Sequence, residues 1–299
     1  MKSLALVILF AGALLACSKK TSPFNNTAAF ASELQTQAND EIRISTELGA
    51  AFNDVDSVIA NATSVCGGAV TVDSVDTPRR ITVVYSGNTC DALRSRTGSI
   101  TISYTPGTSW TTAGDSVTVT LTSLVITRLA DSKTLTFNGA FIYKNISGGS
   151  LSGLSSGGTS PVVHTLAGYN VTVTYDNTTA TNWQFSRQRS YTYNSGLVIS
   201  TLGIDSAGGI GSVADWGANR FGNSIITAFT SPLLVNQGCS WRVTGGQATM
   251  TNPIGISTLT FGLDSTGKTT GCPVSGGHYY YQLSWTGDTE SPYSAVLSY

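Results

Sequence analysis

From Ser64 onward the chain is written almost wholly in period two. Stretches such as "RITVVYS" (80–86), "SITISYT" (99–105), "DSVTVTLTSLVIT" (115–127), "KTLTFNGAFIYKN" (133–145) and "NVTVTYDN" (170–177) alternate β-branched or aromatic residues with small polar ones. The runs "AVTVD" (69–73), "WQFSRQRSYTY" (183–193), "GCSWRVTGG" (238–246), "ISTLTFGL" (256–263) and "HYYYQLSW" (278–285) continue the pattern. Such alternation puts one set of side chains on each face of a strand, and Gly, Asn, Asp and Pro bound the runs as turn residues do. Connections such as "TPGTSWTTAGD" and "SGGSLSGLSSGG" are too rich in turn formers to build a helical crossover. Without crossovers, neighbouring strands must pair antiparallel. The expected fold is mainly β: a multistranded antiparallel sandwich or curved sheet over residues 63–299, with a short N-terminal helical segment. The glycine-rich "GIDSAGGIGS" (203–212) reads as a loop.

The helical segment is expected over residues 30–62, which hold many of the acidic residues and no proline. Leu34, Ala38, Ile42, Leu48, Phe52, Val55 and Ile59 recur at three-to-four spacing and form an apolar stripe for a sheet face. Gly49 weakens the middle by ~1 kcal/mol relative to alanine, so a break into two helices is expected there. The acids are read as the solvated face of this helix.

Ahead of it, Lys2 and the apolar run from Leu4 to Ala16 have the form of a secretory leader, too short for the ~20 residues a membrane span needs. The break "LLAC" (14–17) resembles the bacterial lipobox, although Leu15 departs from the small residue usual there. Residues 1–16 then form a cleaved signal peptide, Cys17 carries the lipid, and 17–29 is a polar tether. Two or three acyl chains anchor a protein stably, whereas one binds only marginally. The expected address is the bacterial outer membrane, with the membrane as partner through the lipid. The "CSKK" after the break leans toward the periplasmic face.

With Cys17 assigned to lipid, Cys66, Cys90, Cys239 and Cys272 remain. An even number in an exported chain points to disulfides, and the pairing 66–90 with 239–272 is favoured because each pair brackets an apparent hairpin. No spacing matches a zinc site. Charged residues make up only 11% of the chain against a usual ~25%, and the net charge is −1. With no basic patch, a nucleic-acid partner is not expected. A strand–glycine–cysteine–strand order occurs in 81–105 and again in 259–287, an echo that a duplication into two related halves and a plain repetition of disulfide-clamped hairpins would both produce.

The blocks "RITVVYSGNTC", "RSRTGSITISYTPG", "GCSWRVTGGQATMTN" and "STLTFGLDSTGKTTGC", together with the leader, resemble a family of uncharacterised lipoproteins of Bacteroidota. The resemblance spans most of residues 30–285. It implies architecture and address and brings no activity with it.

No catalytic, cofactor-binding or metal-binding residue is assigned from the sequence. His164 and His278 lack a neighbouring acid or cysteine; His164 is expected to be exposed and His278 packed or on the surface. HExxH and the dinucleotide fingerprint do not occur, and neither the GxSxG string at 153–157 nor the GxxxxGKT string at 262–269 opens a helical pattern. The aspartates of the β region, Asp215 among them, read as turn residues capping their own backbone. Trp183, Trp241 and Trp285 read as core, whereas Trp110 and Trp216 fall in apparent loops and are candidate ligand contacts. Asp-Ser followed by a small or aliphatic residue resembles an O-glycosylation site, with Ser74, Ser116, Ser206 and Ser265 as candidate acceptors. The functional expectation is a non-enzymatic, lipid-anchored envelope protein. The alternatives are a glycan- or protein-binding module using loop aromatics, favoured by a pocket between Trp110 and Trp216, and a hydrolase, favoured by two convergent buried carboxylates.

Overall fold

A computed structural model describes residues 27–299 apart from 61–62, 75–78, 106, 108, 240, 254, 273–277 and 287–291. The chain begins with a single helix, α1 (Thr27–Ile59). Strands β1 (Ser64–Val65), β2 (Gly68–Asp73), β3 (Arg80–Asn88), β4 (Arg94–Tyr104), β5 (Ser116–Arg128) and β6 (Thr134–Asn145) follow as a meander. A five-residue helix, α2 (Leu151–Ser155), precedes β7 (Val162–Tyr175) and β8 (Thr179–Tyr193). Then come β9 (Leu197–Gly203), β10 (Asp205–Ala207), β11 (Ile210–Ala218), β12 (Ser224–Asn236) and β13 (Arg242–Asn252). Strands β14 (Gly255–Leu263), β15 (Tyr280–Thr286) and β16 (Tyr293–Ser298) complete the chain.

All sixteen strands belong to one antiparallel sheet, so of the two expected arrangements the curved sheet is the one formed. The meander is broken in one slot. Residues Trp183–Phe185 of β8 pair with β11, and Arg187–Tyr193 pair with β9. Strand β12 repeats the division, with β11 on its first half and β9 on its second. Two short strands therefore fill the place of one. They meet at Gly203, where a Cβ would lie 2.1 Å from the Ser212 carbonyl oxygen, so the junction closes only on glycine. The stretch 203–212, expected as a loop, is a hairpin of β10 and β11 turning at Gly208 and Gly209.

Helix α1 does not break at Gly49. The sheet wraps it from two sides, and packing compensates the glycine penalty. Leu48, Phe52, Val55 and Ile59 join a core built by β3 to β8, while Leu34, Ala38 and Ile42 join a second built by β11 to β16. Every residue of the expected apolar stripe is buried, and so are Ile44, Ala51 and Val58 beside it. Among the described residues no helix is long and apolar enough to cross a membrane.

The disulfides are Cys66–Cys90, with Cα atoms 5.3 Å apart, and Cys239–Cys272, at 5.1 Å. The first spans the β2–β3 hairpin and the second the β13–β14 hairpin. Trp183 and Trp285 are core, but Trp241 sits half-buried at positive φ just before β13 rather than in a strand.

Candidate functional site

Asp40, Glu41, Glu47 and Asp56 of α1 are buried rather than solvated, and Glu33 and Asp54 are half-buried. Asp40, Glu47 and Asp54 are spaced by seven and so form one row along the helix, while Glu41 and Asp56 project from other sides. The sheet answers with arginines. "RSR" in β4 and "RQR" in β8 set Arg94 with Arg96 and Arg187 with Arg189 at i, i+2, on the same face of each strand. That face is the inner one, and all four side chains are buried.

The pairs are close. Arg94 Nε donates to Glu47 Oε1 at 2.5 Å and Arg96 Nη1 to Asp54 Oδ2 at 2.6 Å, with the Tyr85 hydroxyl on the same oxygen at 2.8 Å. Arg220 holds both oxygens of Asp40 and reaches Asp176 at 3.0 Å, where Arg43 of the helix also lies at 3.4 Å. Arg187 grips Asp215 with two bonds, of 3.0 and 2.5 Å. Aromatic faces cover the guanidiniums: Arg187 lies over Trp183 and Phe229, Arg189 over Phe52 and Tyr191, and Arg220 over Tyr175. A guanidinium is weakly hydrated and stacks well, so arginine tolerates this enclosure better than lysine would.

Two groups within this interior have chemical character. The first gathers Asp56, Tyr143, Tyr191, His164 and Arg189. Tyr191 donates to Asp56 Oδ2 at 2.8 Å, and the Tyr143 hydroxyl bonds Asp56 and lies 2.6 Å from His164 Nδ1. Arg189 Nη1 stands 3.6 Å from Asp56 Oδ2. Burial alone would raise the Asp56 pKa, but the bonds and charges of His164, Arg189 and Tyr143 outweigh it and hold the carboxyl below its ordinary value. His164, expected to be exposed, is fully buried, because β7 aims it inward under the edge of Trp110, 5.0 Å between ring centroids. Its Nε2 has no hydrogen-bond partner. His278 is exposed.

The second group is Glu41 with Asp215. Among the buried acids of α1, only Glu41 has no arginine within ion-pair distance. Burial, and then the neighbouring Asp215 charge, push its pKa up to about 8. It lies within hydrogen-bond reach of Asp215, and its Oε1 is unpartnered. Asp215 is therefore not the turn residue expected: it lies inside β11 at the junction of the divided slot.

These are two convergent buried carboxylates, but little space adjoins them. The cavities lined by Glu41 measure about 20 and 10 Å3, and one between α1, Arg187, Arg189 and Trp241 about 40 Å3. Such spaces hold single waters or a few, whereas ligand sites run to ~300–1,000 Å3. Among the described residues no group of three or more His, Cys, Asp or Glu could hold a metal ion.

Cys17 lies outside the described residues. The two candidate tryptophans are not brought to a shared pocket. Trp110 is in the β4–β5 loop but packs on Tyr143 and His164, whereas Trp216 belongs to β11, not a loop, and meets Tyr169. Of the candidate acceptors, Ser74 and Ser265 are exposed outside strands and Ser206 is exposed in β10. Ser116 is half-buried in β5, paired with Lys144, and its backbone is committed to the ladder. The buried ion pairs escaped the sequence reading, although "RSR" and "RQR" mark arginines sharing one strand face. No family model matches this chain, and neither the curated proteins nor the solved structures hold a match to it.

Proposed function

We propose that this chain is a non-enzymatic, lipid-anchored protein of the bacterial outer membrane that works through its outer surface. The observation that carries this reading is the sealed interior. Among the described residues, the two groups with catalytic character lie between helix and sheet, and the cavities beside them measure about 40 Å3 or less. Pairing Asp40, Glu47, Asp54 and Asp56 with arginines serves to hold the helix, not to receive a substrate. Helix α1 begins at Thr27, ten residues after Cys17, so lipid on that cysteine would tie the membrane directly to the element on which both cores are built. The leader and its lipobox-like break support the lipid anchor, in keeping with the resemblance to Bacteroidota lipoproteins, and the "CSKK" after the break supports the periplasmic face.

Intact and peptide mass spectrometry of the membrane-extracted protein tests the address. An acylated Cys17 is expected, and an unmodified Cys17 would overturn it. The hydrolase reading has one observation behind it, the Glu41–Asp215 pair. Hydrolysis of any member of a 4-nitrophenyl glycoside series that disappears in Glu41→Gln would replace the present reading with that one.

A further inference from the structure

We propose that Tyr169 and Trp216 form a binding site for a single neutral polysaccharide chain on the outer face of the sheet. This goes beyond the proposed address and stands whether or not Cys17 carries lipid.

The first observation is a bulge. In β7 the ladder shifts register against β8 between Gly168 and Val171, and the ladder with β6 shifts opposite the same stretch, between Asn138 and Ile142. A regular strand would send Tyr169 and Asn170 to opposite faces, yet both are exposed. Room for the distortion comes from Gly139, at φ +133°, where a Cβ would lie 2.4 Å from the Asn170 carbonyl oxygen. Backbone irregularity is thus spent on presenting a tyrosine that stays 52% exposed. A bulge re-aims a side chain, and bulges are over-represented next to functional sites.

The second observation is its neighbour. Trp216 pairs in register with Gln184 of β8, whose flanking Trp183 and Phe185 point inward, so Gln184 and Trp216 face outward with Tyr169. The tyrosine and tryptophan rings lean together, 6.0 Å between centroids and tilted by 58°. Asn170 and Asn182, both exposed, lie alongside.

Aromatic faces with amides between and beside them match the chemistry of a sugar, which offers apolar C–H faces and uncharged hydroxyls. Along this row from β7 through β11 there is no Lys, Arg, Asp or Glu facing outward, so a neutral chain is favoured over an acidic one. The tilt makes a notch. A flat crystalline surface would need coplanar rings, whereas a notch takes one soluble chain.

The full chain, purified in detergent, would be run on native gels containing hydroxyethylcellulose, xyloglucan, arabinoxylan, galactomannan or pullulan, with polygalacturonate as the acidic control. Retardation by at least one neutral polysaccharide is expected. Tyr169→Ala and Trp216→Ala should each weaken it by about tenfold or more, and Trp216→Phe should largely keep it. Both side chains are on the outer face, so the thermal midpoint serves as the folding control, and either alanine variant suffices if the other misfolds. Three results would overturn the proposal: no retardation by any neutral member, retardation that survives the double alanine variant, or equal retention on microcrystalline cellulose.

Discussion

Glu41→Gln should stabilise this protein at alkaline pH and do little at acid pH. The side chain is buried on α1, lacks an arginine, and has its pKa pushed up to about 8 from an ordinary 4.5 by burial and by Asp215. A raised folded-state pKa favours folding where the unfolded carboxyl is also protonated, and that stability is lost as pH rises through the folded value. The loss falls between roughly pH 4.5 and 8. A shift of this size corresponds to about 5 kcal/mol in total, at 1.36 kcal/mol per pH unit. Between pH 5 and 8 the share belonging to Glu41 is about 3–4 kcal/mol, an upper bound because the site can relax or admit water. Glutamine keeps the volume and cannot ionise. Asp40 and Asp54, whose pKa values burial also raises, remain in both proteins and cancel in the difference, whereas Asp215 shares a hydrogen bond with Glu41, so the difference reports the two acids together. Urea unfolding of wild type and variant under non-reducing conditions, at pH 5, 6, 7 and 8, gives the comparison. The stability gap should widen steadily in favour of glutamine. Parallel curves, with the gap changing by less than about 1 kcal/mol, would mean that Glu41 is solvated or cation-paired and would refute the account of the interior.

Arg187→Ala should cost about 3–5 kcal/mol, because it strands the buried Asp215 charge. Replacing both partners, as Arg187→Met with Asp215→Leu, should recover most of that in the same urea assay. Asp56→Asn should lower stability at neutral pH and flatten the acid limb below about pH 4, since a depressed carboxylate pKa contributes stability that is lost as pH falls through it; an unchanged acid midpoint would count against the Asp56 network. Removing either disulfide by paired Cys→Ser changes should cost about 3–4 kcal/mol, given sequence separations of 24 and 33 residues. Loss of helical circular dichroism alone in either disulfide variant would show that the helix and sheet do not unfold together.

Much of the architecture was legible because it rests on short-range rules. Period two and turn residues located ten of the sixteen strands. The stripe from Leu34 to Ile59 identified the buried side of the helix, and cysteine spacing indicated both bridges. The strands of 197–236 were harder to read, since β9 and β11 are separated by Gly203 and the Gly208–Gly209 turn and share one slot. Periodicity says which residues share a face and is silent on whether that face meets water. The rows Asp40, Glu47, Asp54 and Arg94, Arg96 are therefore equally consistent with a solvated surface and with an interior seam.

What the sequence by itself determined is the alphabet of elements: an amphipathic helix, antiparallel strands and two stapled hairpins. Only the tertiary structure decided that the helix lies inside the curved sheet, because that depends on which distant charges find one another. Arg187 meets Asp215 across 28 residues, and Arg94 meets Glu47 across 47. A buried charge is tolerable only with its partner in place, so the solvated face and the interior seam separate only when the sheet has closed around the helix.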